Sequence, residues 1–348
     1  MIAAGRVMTV RGEIDVAELG FTLPHEHLLC DLRALWHPPG EDRPDLQQYV
    51  DKDPVPEDRG PLGSDPYVCR PNLLLDDAAL AARELGWFRE AGGSSVVELT
   101  TAGLSPRPAD LRRISEEGGV HVIAGCGWYR QVTQPPDLES ASESDLTQQL
   151  VRAIRDGFLG TDGVRPGIIG EIGTGDPVHP HEIKALRAAA RAQAETGLAL
   201  VVHLALWGRQ GGAVLDVLAT AGADLTRIVL CHLSEQPVAL DYHRSLLDRG
   251  AFLSFDTFGA EYRLDSIGRR LATDEERVDG LVAALDAGYG GQLLASQDVC
   301  ERLQLRAYGG FGYAHVLTTI VPRLRRHGVS EGMIELLLRE NPARLLAR

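Results

Sequence analysis

The stretch GFTLPHEHLLCDL, residues 20–32, closes an apolar run with two histidines, His25 and His27, on either side of Glu26. Side chains two apart on an extended strand point to the same face. The two imidazoles are therefore aimed together, as they would be into the mouth of a barrel. A single pair can arise by chance, so its meaning depends on whether partners stand at matching places further along.

From residue 77 onward the chain alternates short apolar runs with longer helix-patterned segments. The runs are SSVVELT (94–100), VHVIAGC (120–126), PGIIGEIG (166–173), LALVVHL (198–204), RIVLCHL (227–233), AFLSFDT (251–257) and QLLASQD (292–298). Between them lie stretches such as HEIKALRAAARAQAETG (181–197), whose apolar residues recur at helical spacing. The runs are apolar throughout rather than alternating, as expected of strands covered on both faces. With FTLPHEH (21–27) they make eight strands interleaved with helices, which predicts a closed (β/α)₈ TIM barrel. An open doubly wound sheet would carry a Gly-rich phosphate turn after its first strand, and this sequence has none there. The 348 residues are long for one typical domain, but a barrel with insertions reaches this size, so a single domain over 1–348 is expected.

Residues 36–75 are rich in Pro, Asp and Gly and read as a long loop inserted after the first strand, at the barrel mouth. That position makes the segment a candidate lid; a plain surface insertion is the alternative. Residues 7–17 (VMTVRGEIDVA) read as a small hairpin closing the barrel floor.

Composition narrows the function. With 35 basic against 49 acidic residues, the net charge is −14, which argues against nonspecific binding to nucleic acid or anionic membranes. The partner expected is a small molecule. No stretch approaches the roughly 18 apolar residues of a membrane span, and the N-terminus lacks the pattern of a signal peptide. Five dispersed cysteines without a CxxC fit reduced thiols, so a cytoplasmic location is expected.

The polar residues at the strand ends answer the opening question. Strand 1 ends in His25 and His27, strand 4 in Glu171, strand 5 in His203, strand 6 in His232 and strand 8 in Asp298. Singly, each histidine reads as a core or rim residue and each acid as a helix cap. Together they fall at the same end of five strands, and barrel strand ends converge on one mouth. Four imidazoles and two carboxylates suffice for two divalent metal ions, and this N/O set suits Zn²⁺ or a similar transition metal better than Ca²⁺ or Mg²⁺. His179 and His181 repeat the HxH spacing, but Pro180 between them fits the start of a helix rather than a strand. His37, His121, His243, His315 and His327 lie away from strand ends and read as structural. HEH is not HExxH, so a helical zinc-protease site is not indicated.

The order HxH, strand-4 acid, His, His, Asp resembles the phosphotriesterase family of the amidohydrolase superfamily. The resemblance extends over nearly the whole chain, from GFTLPHEHLLCDL through VVHLALWG and VLCHLSE to PRLRRHGVSEGMIELLLRENPARLLA. It implies that His25, His27 and Asp298 hold one metal, that His203 and His232 hold the other, and that the strand-4 residue bridges both. The best-known members bridge with a carbamylated lysine. This chain has only Lys52, in the loop, and Lys184, in the helix after strand 4. Glu171 takes the bridging position, as in other family members, and a carboxylate offers the same two oxygens.

The chemistry implied is hydrolysis by a metal-bridged hydroxide, with two divalent ions, Zn first and Mn, Co or Fe as alternatives, and with Asp298 as acid/base. The family's lactonases resemble this chain in a tyrosine near the metals, here Tyr129, and in an arginine four residues after the aspartate, here Arg302. Arg306 and Arg263 are further candidates for binding an anionic substituent; for each arginine a solvated surface charge is the alternative. Thr257 stands where organophosphate-degrading members carry a histidine, and Glu235, three residues after His232, is a candidate support for the site. The sequence thus favours a lactonase acting on a small lactone, with sugar and sugar-phosphate lactones among the candidates. The alternatives are an amidohydrolase of a small N-acyl compound, an organophosphate triesterase, and a metal-bearing binding protein without turnover. A homodimer is expected only from the resemblance.

Overall fold

In the computed structural model, which describes residues 5–237 and 239–348, each of the eight apolar runs forms a strand. We number the barrel strands β1 (Phe21–Glu26), β2 (Gly93–Glu98), β3 (His121–Cys126), β4 (Ile168–Gly173), β5 (Leu200–His203), β6 (Ile228–Leu230), β7 (Phe252–Phe255) and β8 (Leu293–Ala295). Neighbours in sequence are neighbours in the sheet, and every pairing from β1 to β8 is parallel. Beyond the end of β8 the chain returns to β1: the Asp298 N–H donates to the His25 carbonyl at 3.2 Å, and the His27 N–H donates to the Val299 carbonyl at 3.2 Å. The result is a nearly closed (β/α)₈ barrel in one domain.

The strands are apolar on both faces because both are covered. Ile123, Ala199, Val201, Val229, Cys231 and Leu294 cluster as one packed group, while the alternate residues Val122, Leu200, Val202, Leu230 and Leu293 join the larger core shared with the helices. A helix follows each of β1 to β7, namely α1 (Ala78–Glu90), α2 (Pro108–Gly118), α3 (Glu143–Asp156), α4 (Pro180–Thr196), α5 (Gly211–Thr220), α6 (Leu240–Leu247) and α7 (Asp274–Asp286), and β8 is followed by helical segments that include Val321–Arg326 and Asn341–Leu346. In α4, Pro180 opens the helix and Gly197 ends it in the left-handed region (φ 72°), leaving an alanine-rich face against the barrel. No helix among the described residues is long and apolar enough to cross a membrane.

The opposite end from the strand termini is closed by the antiparallel hairpin Arg6–Thr9 with Gly12–Asp15. Val7, Val16 and Leu19 pack there with Ile123, Ile168 and Val201, together with Ala343, Leu345 and Leu346. All five cysteines are free and buried.

Residues 36–75 form short helical turns with a small core of Leu46, Leu62, Val68 and Cys69, which Leu303 joins. The segment is tied to the loop after β7, where the Arg263 N–H donates to the Gly63 carbonyl at 3.0 Å and the Ser266 N–H donates to Asp65 at 2.9 Å. It is tied to the loop after β8 through Asn72, whose side-chain amide donates to Glu301 at 2.9 Å.

Candidate active site

The six residues at the strand ends meet. Glu171 Oε2 lies 3.3 Å from His25 Nε2, 3.4 Å from His203 Nδ1 and 3.4 Å from His232 Nε2. Its other oxygen lies 4.0 Å from His27 Nε2. Asp298 Oδ1 lies 3.4 Å from His25 Nε2 and 3.3 Å from His27 Nε2. Glu171 therefore faces both the His25/His27 side and the His203/His232 side.

Local backbone chemistry sets these positions. Glu171 sits in GEIG, and both flanking glycines leave room for close backbone approach: a Cβ on Gly170 would strike the Val201 carbonyl, and one on Gly173 would strike the backbone of Tyr129 and Arg130. His232 (φ 65°) and Asp298 (φ 51°) both lie in the left-handed region, which non-glycine residues seldom occupy. Such strain persists only where the surroundings enforce it, and it gathers at functional sites.

The donor set fits a metal. Ligands about 2.1 Å from a common centre stand about 3.4 Å apart along a tetrahedral edge, which is the spacing found between Glu171, Asp298 and the imidazoles. His25 Nε2 and Glu171 Oε2 are buried and find no hydrogen-bond partner. Two buried polar atoms facing each other unsatisfied are what a cation between them would resolve. His25, His27 and Glu171 form one cluster able to share an ion; Glu171, His203 and His232 form another.

Three of the four imidazoles are oriented from behind, as metal-ligating histidines are. His232 Nδ1 is 3.0 Å from Asp256 Oδ1, and His25 Nδ1 is 3.3 Å from Asp256 Oδ2 and 3.1 Å from Cys231 Sγ. His27 Nδ1 is 2.9 Å from the Thr100 hydroxyl, which donates to Glu98 at 2.5 Å. On His203 the Tyr129 hydroxyl lies 3.2 Å from Nδ1, the same nitrogen that faces Glu171.

Electrostatics follow from this crowding. Burial disfavours charge on Glu171, but His25 and His203 beside it hold its carboxyl well below the usual range. Asp298 is likewise held low against burial, chiefly by His25 and His27. Burial, then His232, pushes the His203 imidazole down to about 4. His232 goes the other way: burial opposes its protonation, yet Asp256 raises it to about 10. Burial alone pushes Glu98 up to about 7.

The cavity over these groups is lined by Leu32, Tyr67, Leu104, Tyr129, Leu206, Thr257, Tyr262, Leu271 and Gln304. Tyr129 is thus brought to the site. The three arginines named from the sequence are not. Arg302 is half turned into the 36–75 segment, donating to the Leu74 carbonyl (2.8 Å), Asp53 (3.1 Å) and Asp76 (3.3 Å). Arg306 stacks on Trp87, 4.6 Å from the ring centre, and Arg263 pairs with Asp265 at 3.0 Å on the exposed surface. Glu235 does not line the cavity; it accepts hydrogen bonds from Thr257 (2.5 Å) and from the buried Arg277 (2.8 Å). His179 caps the N-terminus of α4, next to Pro180 at its first position.

Several contributors are not among the residues named from the sequence. Asp256 directly follows β7 in FDTFG and has the same strand-end signature as the candidate ligands, so that signal was available. Glu98 ends β2 and carries that signature too, whereas Thr100 acts through its neighbours and Tyr67 arrives from the loop after β1, where no spacing rule reveals them.

The fold is a (β/α)₈ barrel that gathers, at the C-terminal end of its strands, residues able to hold metal ions, the architecture of a metal-dependent hydrolase. The model of the phosphotriesterase family matches residues 5–346, and the chain belongs to that family, whose members are metal-dependent. It is 34% identical over 352 residues, with 97% of each chain covered, to an N-acetyltaurine hydrolase of Tetraodon nigroviridis. A human protein of the same name is 33% identical, with 99% of this chain and 98% of that one covered. Among solved structures it is similar to a resiniferatoxin-binding protein from Rhodobacter sphaeroides, with a TM-score of 0.96, 40% identity and 99% of this chain and 95% of that chain covered. A lactonase from Listeria monocytogenes shares the fold, with a TM-score of 0.79, 23% identity and 98% and 99% of the two chains covered.

Proposed function

We propose that this chain hydrolyses the amide bond of a small N-acyl compound, with two divalent ions, Zn first, as its cofactors. His25, His27 and Asp298 would hold one ion, His203 and His232 the other, and Glu171 both. The observation that carries this reading is Glu171 Oε2, buried and unsatisfied, within 3.4 Å of three imidazole nitrogens from three different strands.

When bound, the ions would supply Lewis acidity and lower the pKa of water towards neutrality. The chain's own groups supply the rest. Asp298 is the general base: it lines the cavity, and its side chain is 18% exposed where those of His25 and Glu171 are 1%, so it is the most open of these three to an entering substrate. It takes the proton of the attacking water and returns it to the departing nitrogen, a step an amide needs more than an ester because an amine anion is a poor leaving group. The Tyr129 phenol, which burial keeps well above its ordinary pKa and therefore protonated, donates towards the substrate carbonyl. Leu32, Leu104, Leu206 and Leu271 exclude bulk water from the reacting atoms.

Two facts favour an amide over the lactone, sugar-phosphate lactones included, that the sequence puts first. Relatives similar over the whole chain are named for an N-acyl compound, whereas the lactonase similarity speaks to the fold alone. Arg302, the residue that would read a phosphate, is turned away to Asp53 and Asp76. Lactone opening stands as the second reading because of Tyr129 beside His203.

The test is amine release from a panel of N-acetyl compounds by Zn- or Mn-loaded protein, with γ- and δ-lactones and paraoxon scored by proton release. Amide turnover lost in Asp298→Asn supports the reading. Lactone turnover with none on amides would transfer it to the second, and metal-loaded protein inert on every compound would leave only a binding role.

A further inference from the structure

The cavity over the six ligand residues opens into a wider cleft, and both are lined by Tyr67, Tyr129, His203 and Leu206. The outer part of that cleft carries two guanidinium groups, Arg130 and Arg269. Neither forms an ion pair among the described residues. Most other arginines near the loops do: Arg33 with Asp31, Arg43 with Asp45, Arg70 with Asp51, Arg302 with Asp53.

Arg130 is the more telling. It follows Tyr129 directly, so it starts one residue from a side chain 3.2 Å from His203. Its Nε is buried and has no hydrogen-bond partner. Its backbone is anchored on both sides: the Arg130 carbonyl accepts from Thr133 at 2.9 Å, the Gln131 N–H donates to Glu182 at 2.9 Å, and the Gln134 amide holds the Tyr129 carbonyl at 2.8 Å. A long cation on a fixed base, lining the cleft with a buried donor that lacks an acceptor, is placed to take one from outside the chain.

Arg269 faces the cleft from the short ribbon Arg263–Leu264/Arg269–Arg270. Its guanidinium sits 5.8 Å from the ring centre of Trp207, itself held in the left-handed region at φ 62°. The cleft's carboxylate, Asp176, is exposed and pairs with neither arginine. Guanidinium groups recognise planar or tetrahedral oxyanions through paired N–H donors.

We infer that Arg130, assisted by Arg269, is an anion subsite, and that the substrate is an acidic N-acyl compound whose carboxylate or sulfonate lies in the outer cleft while its amide sits over Glu171 and Asp298. This rests on the amide reading above and adds to it the charge of the substrate and the residue that selects it. Arg130 is a specificity-determining residue, and it acts by binding rather than by proton transfer.

The experiment compares kcat/KM for N-acetyltaurine and N-acetyl-β-alanine with that for the neutral N-(2-hydroxyethyl)acetamide, in wild type, Arg130→Gln and Arg130→Lys. The wild type is expected to prefer the anions. Arg130→Gln should cut that preference by about 10- to 100-fold, mainly through KM, with partial recovery in Arg130→Lys. Rising salt should erode the wild-type preference and leave the Gln variant flat. An anion-to-neutral ratio the same in wild type and Arg130→Gln would overturn the inference. If no amide is turned over, ethanesulfonate is titrated calorimetrically into the metal-loaded protein. Binding that is lost in Arg130→Gln would keep the anion subsite and discard the amide reading. Binding that is absent, or present in both proteins alike, would discard the subsite.

Discussion

The backbone N–H of Asp298 donates to the carbonyl of His25 across 3.2 Å, so the last barrel strand meets the first at two of the candidate metal ligands. Glu26, between the paired histidines, reinforces the seam by accepting from the Ser296 hydroxyl (2.8 Å) and from the backbone N–H groups of Gln297 and Val299 (2.9 Å each). Closing the barrel and assembling the site are therefore one structural event, and a change to a side chain can be separated from a change to the seam.

Asp298→Asn makes that separation. The seam uses the backbone of residue 298, and asparagine tolerates a left-handed φ as well as aspartate does. The variant should keep the thermal stability of the metal-free protein within a few degrees while kcat falls by about 10²- to 10⁴-fold, the usual contribution of a positioned acid/base. Activity within tenfold of wild type in the metal-loaded variant would remove Asp298 from the proton-transfer role.

A second prediction concerns metal uptake. In the metal-free protein Asp256 raises His232 to about 10, against the opposing effect of burial. At pH 8 that imidazole is therefore protonated, and it must shed a proton before Nε2 can bind a cation. Zn²⁺ binding at pH 8 should release at least one proton from this residue, and affinity should rise with pH until His232 is neutral. Titrations in two buffers of different ionisation enthalpy measure the release. Asp256→Asn should reduce it and weaken metal affinity by about 10- to 100-fold. Apparent binding heats that do not depend on the buffer would contradict the protonated state of His232.

The barrel and the meeting of the six strand-end residues were legible because each rests on short-range rules. Strands covered on both faces are apolar throughout, and ligands at strand ends are fixed by backbone geometry, so His203 and His232 could be placed from LALVVHL and RIVLCHL alone. The arginines were not legible, for a physical reason. A long, flexible side chain goes to whichever carboxylate tertiary folding supplies. For Arg302 these are Asp53 and Asp76, more than 200 positions away in sequence, and the fourth place after an aspartate says nothing about them. Arg130 gave no signal because its importance lies in lacking a partner, which only the folded chain reveals.

Buried charge supports the loops around the site, and this gives a stability prediction. Arg277 is fully buried; it donates to Glu235 from Nε (3.1 Å) and Nη2 (2.8 Å), to Asp274 (3.1 Å) and to the Ala260 carbonyl (2.8 Å). Arg277→Met leaves two buried carboxylates short of their cation, which costs about 3–5 kcal/mol. Urea unfolding of the metal-loaded protein should show that loss, with part of it restored in the double variant Arg277→Met/Glu235→Gln. A single variant as stable as wild type would mean that water reaches and satisfies the two acids.

Glu301 supplies a pH dependence whose sign is fixed. It is 1% exposed, accepts from the Tyr262 hydroxyl at 3.0 Å and the Asn72 amide at 2.9 Å, and burial raises its pKa from the ordinary 4.5 to about 7. The folded chain thus binds this proton more tightly than the unfolded chain does. Its contribution is fully present below pH 4.5 and is lost as pH rises through about 7. Glu301→Gln resembles the neutral acid and removes the titration. Relative to that variant, wild type should lose roughly 3 kcal/mol between pH 4.5 and pH 8, from one proton and a shift of about 2.5 pH units. Urea midpoints of the two proteins at intervals across that range measure the divergence, and parallel curves would show that Glu301 is ionised in the folded state throughout. Because Tyr262 lines the reacting cavity and holds Glu301, the same variant reports whether that proton also sets the position of the cavity wall: KM for the preferred substrate should drift with pH in wild type and stay level in Glu301→Gln.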